Sequence, residues 1–102
     1  MNAAEPIALV LFVSDDSPRS IVATANIQQA LEAGTGSDFA LEIVNVFAEP
    51  DRALAARVLV TPTLLAPAAA RRLVGDLSEH EKLRYFLHGL QIADVPPGDD
   101  PA

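Results

Sequence analysis

Leu59-Val60-Thr61-Pro62-Thr63-Leu64-Leu65 is the stretch whose reading decides the fold. The residues on both sides of the proline are apolar or β-prone. A proline has no N–H to give to a ladder, so Pro62 must sit at an edge, at a bulge or in a cis turn. Further on, Arg71-Arg72-Leu73-Val74 reads as a short strand stopped by Gly75-Asp76.

Upstream, Ile7-Ala8-Leu9-Val10-Leu11-Phe12-Val13 is continuously apolar and ends at Ser14-Asp15-Asp16. A run of this length without polar alternation suits a strand buried on both faces. Ser17-Pro18 reads as a helix start, with Ser17 as N-cap and Pro18 in the first turn. Ala23, Ile27, Ala30 and Leu31 continue at helical spacing to about Ala33, and Gly34-Thr35-Gly36-Ser37-Asp38 stops the helix. Residues 39–47 hold a second strand centred on Leu41, Ile43, Val44 and Val46. Glu49-Pro50-Asp51 resets the chain, and residues 52–58 form a short Ala-rich helix.

Downstream of the fourth strand, Ser78 and Glu81 have the S-x-x-E spacing of a capping box. Leu83, Phe86, Leu87 and Leu90 then form one apolar stripe at i, i+3, i+4 and i+7. The polar, proline-broken end predicts a disordered acidic tail over 94–102, and 1–6 is predicted to be a flexible N-terminus. The order is βαβαββα, an α/β domain over residues 7–93. With a proline just before the third strand, this layout resembles the thioredoxin fold, in which that proline is cis.

One segment resists the layout. Pro67-Ala68-Ala69-Ala70-Arg71-Arg72-Leu73 has high helix propensity, with proline at a permitted first-turn position. The layout wants its latter part as a strand. The disagreement admits either tertiary override or a chain with two accessible folds.

Composition narrows the function classes. The 102 residues suffice for one core and one domain. Fourteen acids against seven bases give a net charge of −7, which disfavours nucleic acid and anionic membranes as partners. The chain has no cysteine, so disulfides, thiolate metal sites and thiol redox chemistry are excluded. The N-terminus has no basic n-region and its first apolar run is too short for a signal peptide, so the cytoplasm is the expected compartment.

The candidate reactive groups are few. In thioredoxin-like enzymes the chemistry sits between the first strand and first helix, where this chain has Ser14-Asp15-Asp16-Ser17-Pro18 and no thiol. A serine nucleophile would need a base, and no histidine is near in sequence. His80 and His88 are about 12 Å apart along one helix, too far to share a metal, so surface roles and no metal are expected. Asp76, Glu79 and Glu81 suit a helix start better than paired-carboxylate catalysis. Gly34-Thr35-Gly36-Ser37 follows a helix, whereas a phosphate loop precedes one. Arg71-Arg72 is the one adjacent pair of bases; it reads either as solvated charge or as a contact for an acidic partner.

Thr61-Pro62-Thr63-Leu64, then Arg71-Arg72-Leu73-Val74-Gly75-Asp76-Leu77-Ser78 and Glu81-Lys82, resemble the KaiB family pattern of T-P-T-L followed by R-R-I-I-G-D-L-S and E-K. Leu9–Val13, Ser17-Pro18-Arg19-Ser20, Asn45-Val46 and Glu49-Pro50 match its N-terminal half, so the likeness runs from about residue 7 to residue 90. It marks Pro62, Thr61, Thr63, Gly75, Asp76, Ser78 and Glu81 as fold-defining. It implies a non-enzymatic clock or stress-timing regulator, without cofactors, that binds a KaiC-type ATPase ring or acts in a related histidine kinase pathway. It further implies a homo-tetramer or dimer exchanging with a thioredoxin-like monomer whose C-terminal half refolds. Leu65-Ala66 stands where the family has a lysine, the proline-rich spacer is shortened to Pro67-Ala68-Ala69-Ala70, and an apolar residue near Val22 replaces a base. The implied basic contact surface is thereby reduced to Arg71 and Arg72, with Arg57. Phe86, in place of a family glycine, completes the helical stripe and favours the thioredoxin-like state. The alternative reading is a cysteine-less thioredoxin-superfamily domain with an enzymatic or small-ligand role.

Overall fold

The computed structural model describes residues 6–15, 17–34 and 38–91. The elements are β1 (Ile7–Val13), α1 (Pro18–Ala33), β2 (Phe39–Asn45), α2 (Pro50–Ala55), β3 (Thr63–Ala66), β4 (Arg71–Val74) and α3 (His80–Gln91). This is the βαβαββα order read from the sequence. The tail at 94–102 and all of the N-terminus at 1–6 except Pro6 lie outside the described residues.

The four strands form one sheet in the order β2-β1-β3-β4. β1 runs parallel to β2 and antiparallel to β3, and β3 pairs antiparallel with β4. β2 and β4 are therefore the outer strands. Side chains alternate across a strand, and β1 divides accordingly. Leu9, Leu11 and Val13 join Ala23 and Ile27 of α1, Leu64 and Ala66 of β3, and Leu83, Phe86, Leu87 and Leu90 of α3. Val10 and Phe12 join Val44 and Ala53 on the opposite face, beneath α2. A continuous apolar run is what a strand buried on both sides requires, and the α3 stripe is buried at each of its four positions.

Local chemistry sets the element ends. The Ser20 N–H donates to the Ser17 hydroxyl at 3.3 Å, and Pro18 occupies the first turn, so α1 begins as the sequence indicates. β2 stops at Asn45, two residues short of the expected end. The Asn45 carboxamide oxygen accepts the Phe47 N–H at 2.9 Å, and its carbonyl accepts from Ala48 and Glu49, turning the chain away. α2 spans 50–55 rather than 52–58, because Pro50 already sits in its first turn. It ends where Arg57 takes a left-handed φ of 57°. The Arg57 N–H bonds the Leu54 carbonyl and the Val58 N–H bonds that of Ala53, the paired bonds of a Schellman motif.

The Thr61-Pro62 bond is cis, as expected for this fold. Strand structure begins only after it, at Thr63, so the apolar Leu59 and Val60, with Thr61, stay outside the sheet. The Thr63 hydroxyl donates to the Val60 carbonyl at 2.7 Å, and the Gly75 N–H donates to the Pro62 carbonyl at 2.9 Å. Tertiary contacts override the Ala-rich helix propensity. Residues 67–69 make one 3-10 turn, Ala70 adopts φ 54°, and β4 follows. Leu73 pairs with Leu64 and packs on the core, and burial of this kind outweighs small differences in propensity.

The start of α3 differs from the capping-box reading. The helix begins at His80, and the Leu83 N–H bonds the Glu79 carbonyl. The N–H of Ser78 donates to the Asp76 carboxylate at 3.0 Å, and the hydroxyl bonds it as well. An acceptor two residues back closes a local ring, and this turn captures Ser78 before it can cap the helix. The same bonds hold the Asp76 carboxyl below its ordinary pKa, with the Arg19 charge adding to the effect. Between Asp76 and Ser78, Leu77 adopts φ 64° with its side chain buried in the core. Asn26 of α1 donates to the Asp76 carbonyl at 2.9 Å and ties the turn to the helix layer.

Two measurements check these assignments. Alanine in the left-handed region costs about 1–2 kcal/mol, and glycine gives back about 0.4–1 kcal/mol of that through its freer unfolded state. Ala70→Gly should therefore raise stability in urea denaturation by about 0.5–1 kcal/mol; a loss would contradict the backbone assignment. Ser78→Ala should raise the Asp76 midpoint in a carboxyl-carbon NMR titration. Because a depressed carboxyl stabilises the fold above its unfolded pKa and ceases to do so as pH falls through the folded one, the variant should also lose less stability on acidification.

Candidate partner-binding surface

The turn between β1 and α1 is occupied by hydroxyls that bond one another. Ser14 Oγ pairs with Thr61 Oγ1 beside the cis proline. The Ser14 N–H donates to Ser20 Oγ at 3.0 Å, and the Ser17 hydroxyl donates to the same oxygen at 2.9 Å. Ser20 is fully buried. Asp15 sits at φ 50°, and its carboxylate accepts from Asn45 Nδ2 at 2.9 Å. A hydroxyl becomes a nucleophile when a base takes its proton. Among the described residues of this turn, the Ser14 and Ser17 oxygens are bonded to other hydroxyls, and the Asp15 carboxylate is engaged by the Asn45 amide. The arrangement closes the turn and braces it against β2.

His80 and His88 are both exposed on α3. Among the described residues no group of three or more His, Asp or Glu side chains could hold a metal. No helix among them is long and apolar enough to cross a membrane.

The three arginines singled out in the sequence do not form one patch. Arg71 and Arg72 are neighbours in β4, so their side chains leave opposite faces of the sheet. Arg71 lies on the α1/α3 side: a Cβ added at Gly89 of α3 would come within 3.1 Å of Arg71 Nη1. Gly89 thus makes room for the guanidinium. Arg72 lies on the α2 side, where Nη1 donates to the Arg57 carbonyl at 3.0 Å and Nη2 to the Ala56 carbonyl at 2.6 Å. A helix C-terminus leaves carbonyls unpaired and carries partial negative charge, so a cation there is favoured twice over. Arg57 itself is exposed and supplies the left-handed residue of that terminus.

Around this clamp the structure exposes apolar side chains that sequence reading assigned to a helix or a strand. Leu59 is 92% exposed and Leu54 75% exposed, and Val60 and Val74 are more than half exposed. Thr63 joins two of them, holding the Val60 carbonyl by its hydroxyl and pairing with Val74 in the sheet register. The strip therefore runs from the end of α2, over residues 58–60, to the outer strand β4. Pro62 was the signal for it: a proline that interrupts an apolar run leaves the residues before it without a ladder. On the far side of α2, Arg52 forms a two-pronged ion pair with Glu42 of β2, Nη2–Oε1 being 2.8 Å. That contact lowers the Glu42 pKa and raises that of Arg52. Arg52 also reaches Glu49 at 3.5 Å, so its charge is neutralised at that end of the surface.

Comparison with known proteins agrees with this geometry. A KaiB domain model matches residues 10–89. "Circadian clock protein KaiB3" of a Synechocystis species is 38% identical, over 90% of this chain and 87% of its own length. "Circadian clock oscillator protein KaiB" of Synechococcus elongatus is 33% identical over 98% of this chain and 99% of its own. Among solved structures, the N-terminal domain of Synechococcus elongatus SasA superposes with a TM-score of 0.74 at 25% identity, covering 94% of this chain and 92% of that one. The fold is the thioredoxin-like one of that domain. With a family model spanning most of its length and relatives above 30% identity over nearly all of it, the chain belongs to the KaiB family of non-enzymatic clock proteins.

Proposed function

We propose that this protein is a clock or stress-timing regulator that binds a KaiC-type ATPase ring in its thioredoxin-like state. The observation that carries the reading is the exposed strip of Leu54, Leu59, Val60 and Val74 on a scaffold whose reactive turn has no thiol. Large exposed aliphatic side chains grouped around one helix end favour a protein partner. Arg57 edges this strip and belongs to the proposed interface; Arg72 stands beside it, bonded to the α2 C-terminus, and serves the surface from within the molecule. Arg71, across the sheet, belongs to it only if the partner wraps over the β4 edge.

The proposal includes the family's exchange between an oligomeric form and this monomeric fold. Left-handed backbone at Arg57, Ala70 and Leu77 in the second half of the chain, against Asp15 alone among the described non-glycine residues of the first, supports that part. Each such residue costs about 1 kcal/mol or more, which narrows the advantage of this fold over a competitor.

Two experiments test the reading. With ATP present, the chain should co-purify with the KaiC-type ATPase of its own genome. Leu59→Glu should abolish that capture while leaving the circular-dichroism spectrum unchanged. Capture unaffected by the charge would move the interface elsewhere, and no capture by the parent chain would reject the reading. For the exchange, two slowly interconverting sets of amide peaks, together with an oligomer–monomer equilibrium in sedimentation, are expected; a concentration-independent monomer with one set of peaks would exclude it.

A further inference from the structure

We infer that Arg72 is a positioning residue for the proposed partner surface: it clamps the C-terminus of α2 and so holds residues 58–60 in the exposed path that presents Leu59 and Val60. The inference rests on the proposed function for its consequence, but the clamp itself is read from geometry alone.

Arg72 is placed by its strand. It pairs with Leu65 in the β3–β4 register, and Leu65 packs against the apolar cluster under α2. Its side chain therefore rises on the α2 face, and its two terminal nitrogens reach two successive carbonyls, Ala56 at 2.6 Å and Arg57 at 3.0 Å. A planar guanidinium can span neighbouring acceptors with little further loss of freedom, which an ammonium cannot do. The bond is needed because the helix end is unusual. Its left-handed position is filled by Arg57, where glycine is the ordinary choice and a side chain is disfavoured. A strained terminus with unpaired carbonyls would fray, and the next residues out are Val58, Leu59 and Val60.

Val58 supplies the far anchor. It packs against the cluster under α2 and donates its N–H to Ala53 at 2.9 Å. Leu59, one residue on, is 92% exposed. The chain thus passes from a half-buried residue to a fully presented one immediately beyond the clamp. The Thr63 hydroxyl holds the Val60 carbonyl from the other end. Arg72 and Thr63 bracket the strip, and the guanidinium acts through the backbone that carries Leu59.

A variant series with two readouts decides the matter. Arg72→Gln removes the charge and the fork, Arg72→Lys keeps the charge, and Arg71→Gln is the control on the other face. In native-state hydrogen exchange, Arg72→Gln should speed the Arg57 and Val58 amides at least about tenfold, as loss of charge-assisted hydrogen bonds requires. Arg72→Lys should fall between that variant and the parent, and Arg71→Gln should leave both amides unchanged. Unchanged exchange in Arg72→Gln would overturn the clamp. In binding to the KaiC-type ATPase with ATP, Arg72→Gln should weaken affinity, and the effect should largely vanish in a Leu59→Ala background. Losses that simply add would show that Arg72 touches the partner directly and would overturn the positioning role. If the parent chain does not bind, the functional reading and the positioning role fall together, while the exchange result still judges the clamp.

Discussion

The structure depends on the burial of β1 on both of its faces. Leu9, Leu11 and Val13 give the α1/α3 layer its floor, and Val10 and Phe12 do the same for α2. The strand also makes every hydrogen-bonded link between the N-terminal and C-terminal halves of the sheet, parallel to β2 and antiparallel to β3. A polar residue at one of its central positions would have no water on either side. The length and purity of the apolar run in the sequence follow from that position.

What the sequence made legible was local or periodic. The β1 run, the Ser17-Pro18 helix start and the α3 stripe each follow from residues close together in the chain, whereas the cis bond before Pro62 was implied by likeness to the thioredoxin layout. The departures arise where distant residues intervene or where two local motifs compete. Arg57 ends α2 in a conformation that no glycine advertises, so the helix end was placed too late. Leu59 and Val60 are β-prone, and only the strand start at Thr63 shows that they fall outside the ladder. Ser78 stands three residues before Glu81, but Asp76 is nearer and takes its N–H and hydroxyl. The pairing of Arg72 with Ala56 and Arg57 crosses the sheet layer and has no signature in composition or spacing.

The candidate surface shows the same division. Arg71-Arg72 stood out as adjacent bases in an acidic chain, and the pleat of β4 sends them to opposite faces. One covers Gly89 of α3, and the other seals the end of α2. At this surface Arg72 and Arg52 are committed within the molecule, and what faces outward is the aliphatic strip with Arg57 at its edge. A scaffold shared with redox enzymes has kept its cis proline and helix start, while hydroxyls bonded to one another occupy the position where a thiol would react.

The placement of β4 at the rim of the sheet has one more consequence. A rim strand carries free backbone donors and acceptors that can template a further strand, and long flat rims invite aggregation. This one is four residues long, begins with two arginines and is flanked by left-handed Ala70 and by Gly75 at φ 120°. An incoming chain would find only a short, bent ladder bearing two bulky cations. The guanidiniums that brace the two helices thus also act as gatekeepers, disfavouring edge-to-edge pairing of this rim with a further strand.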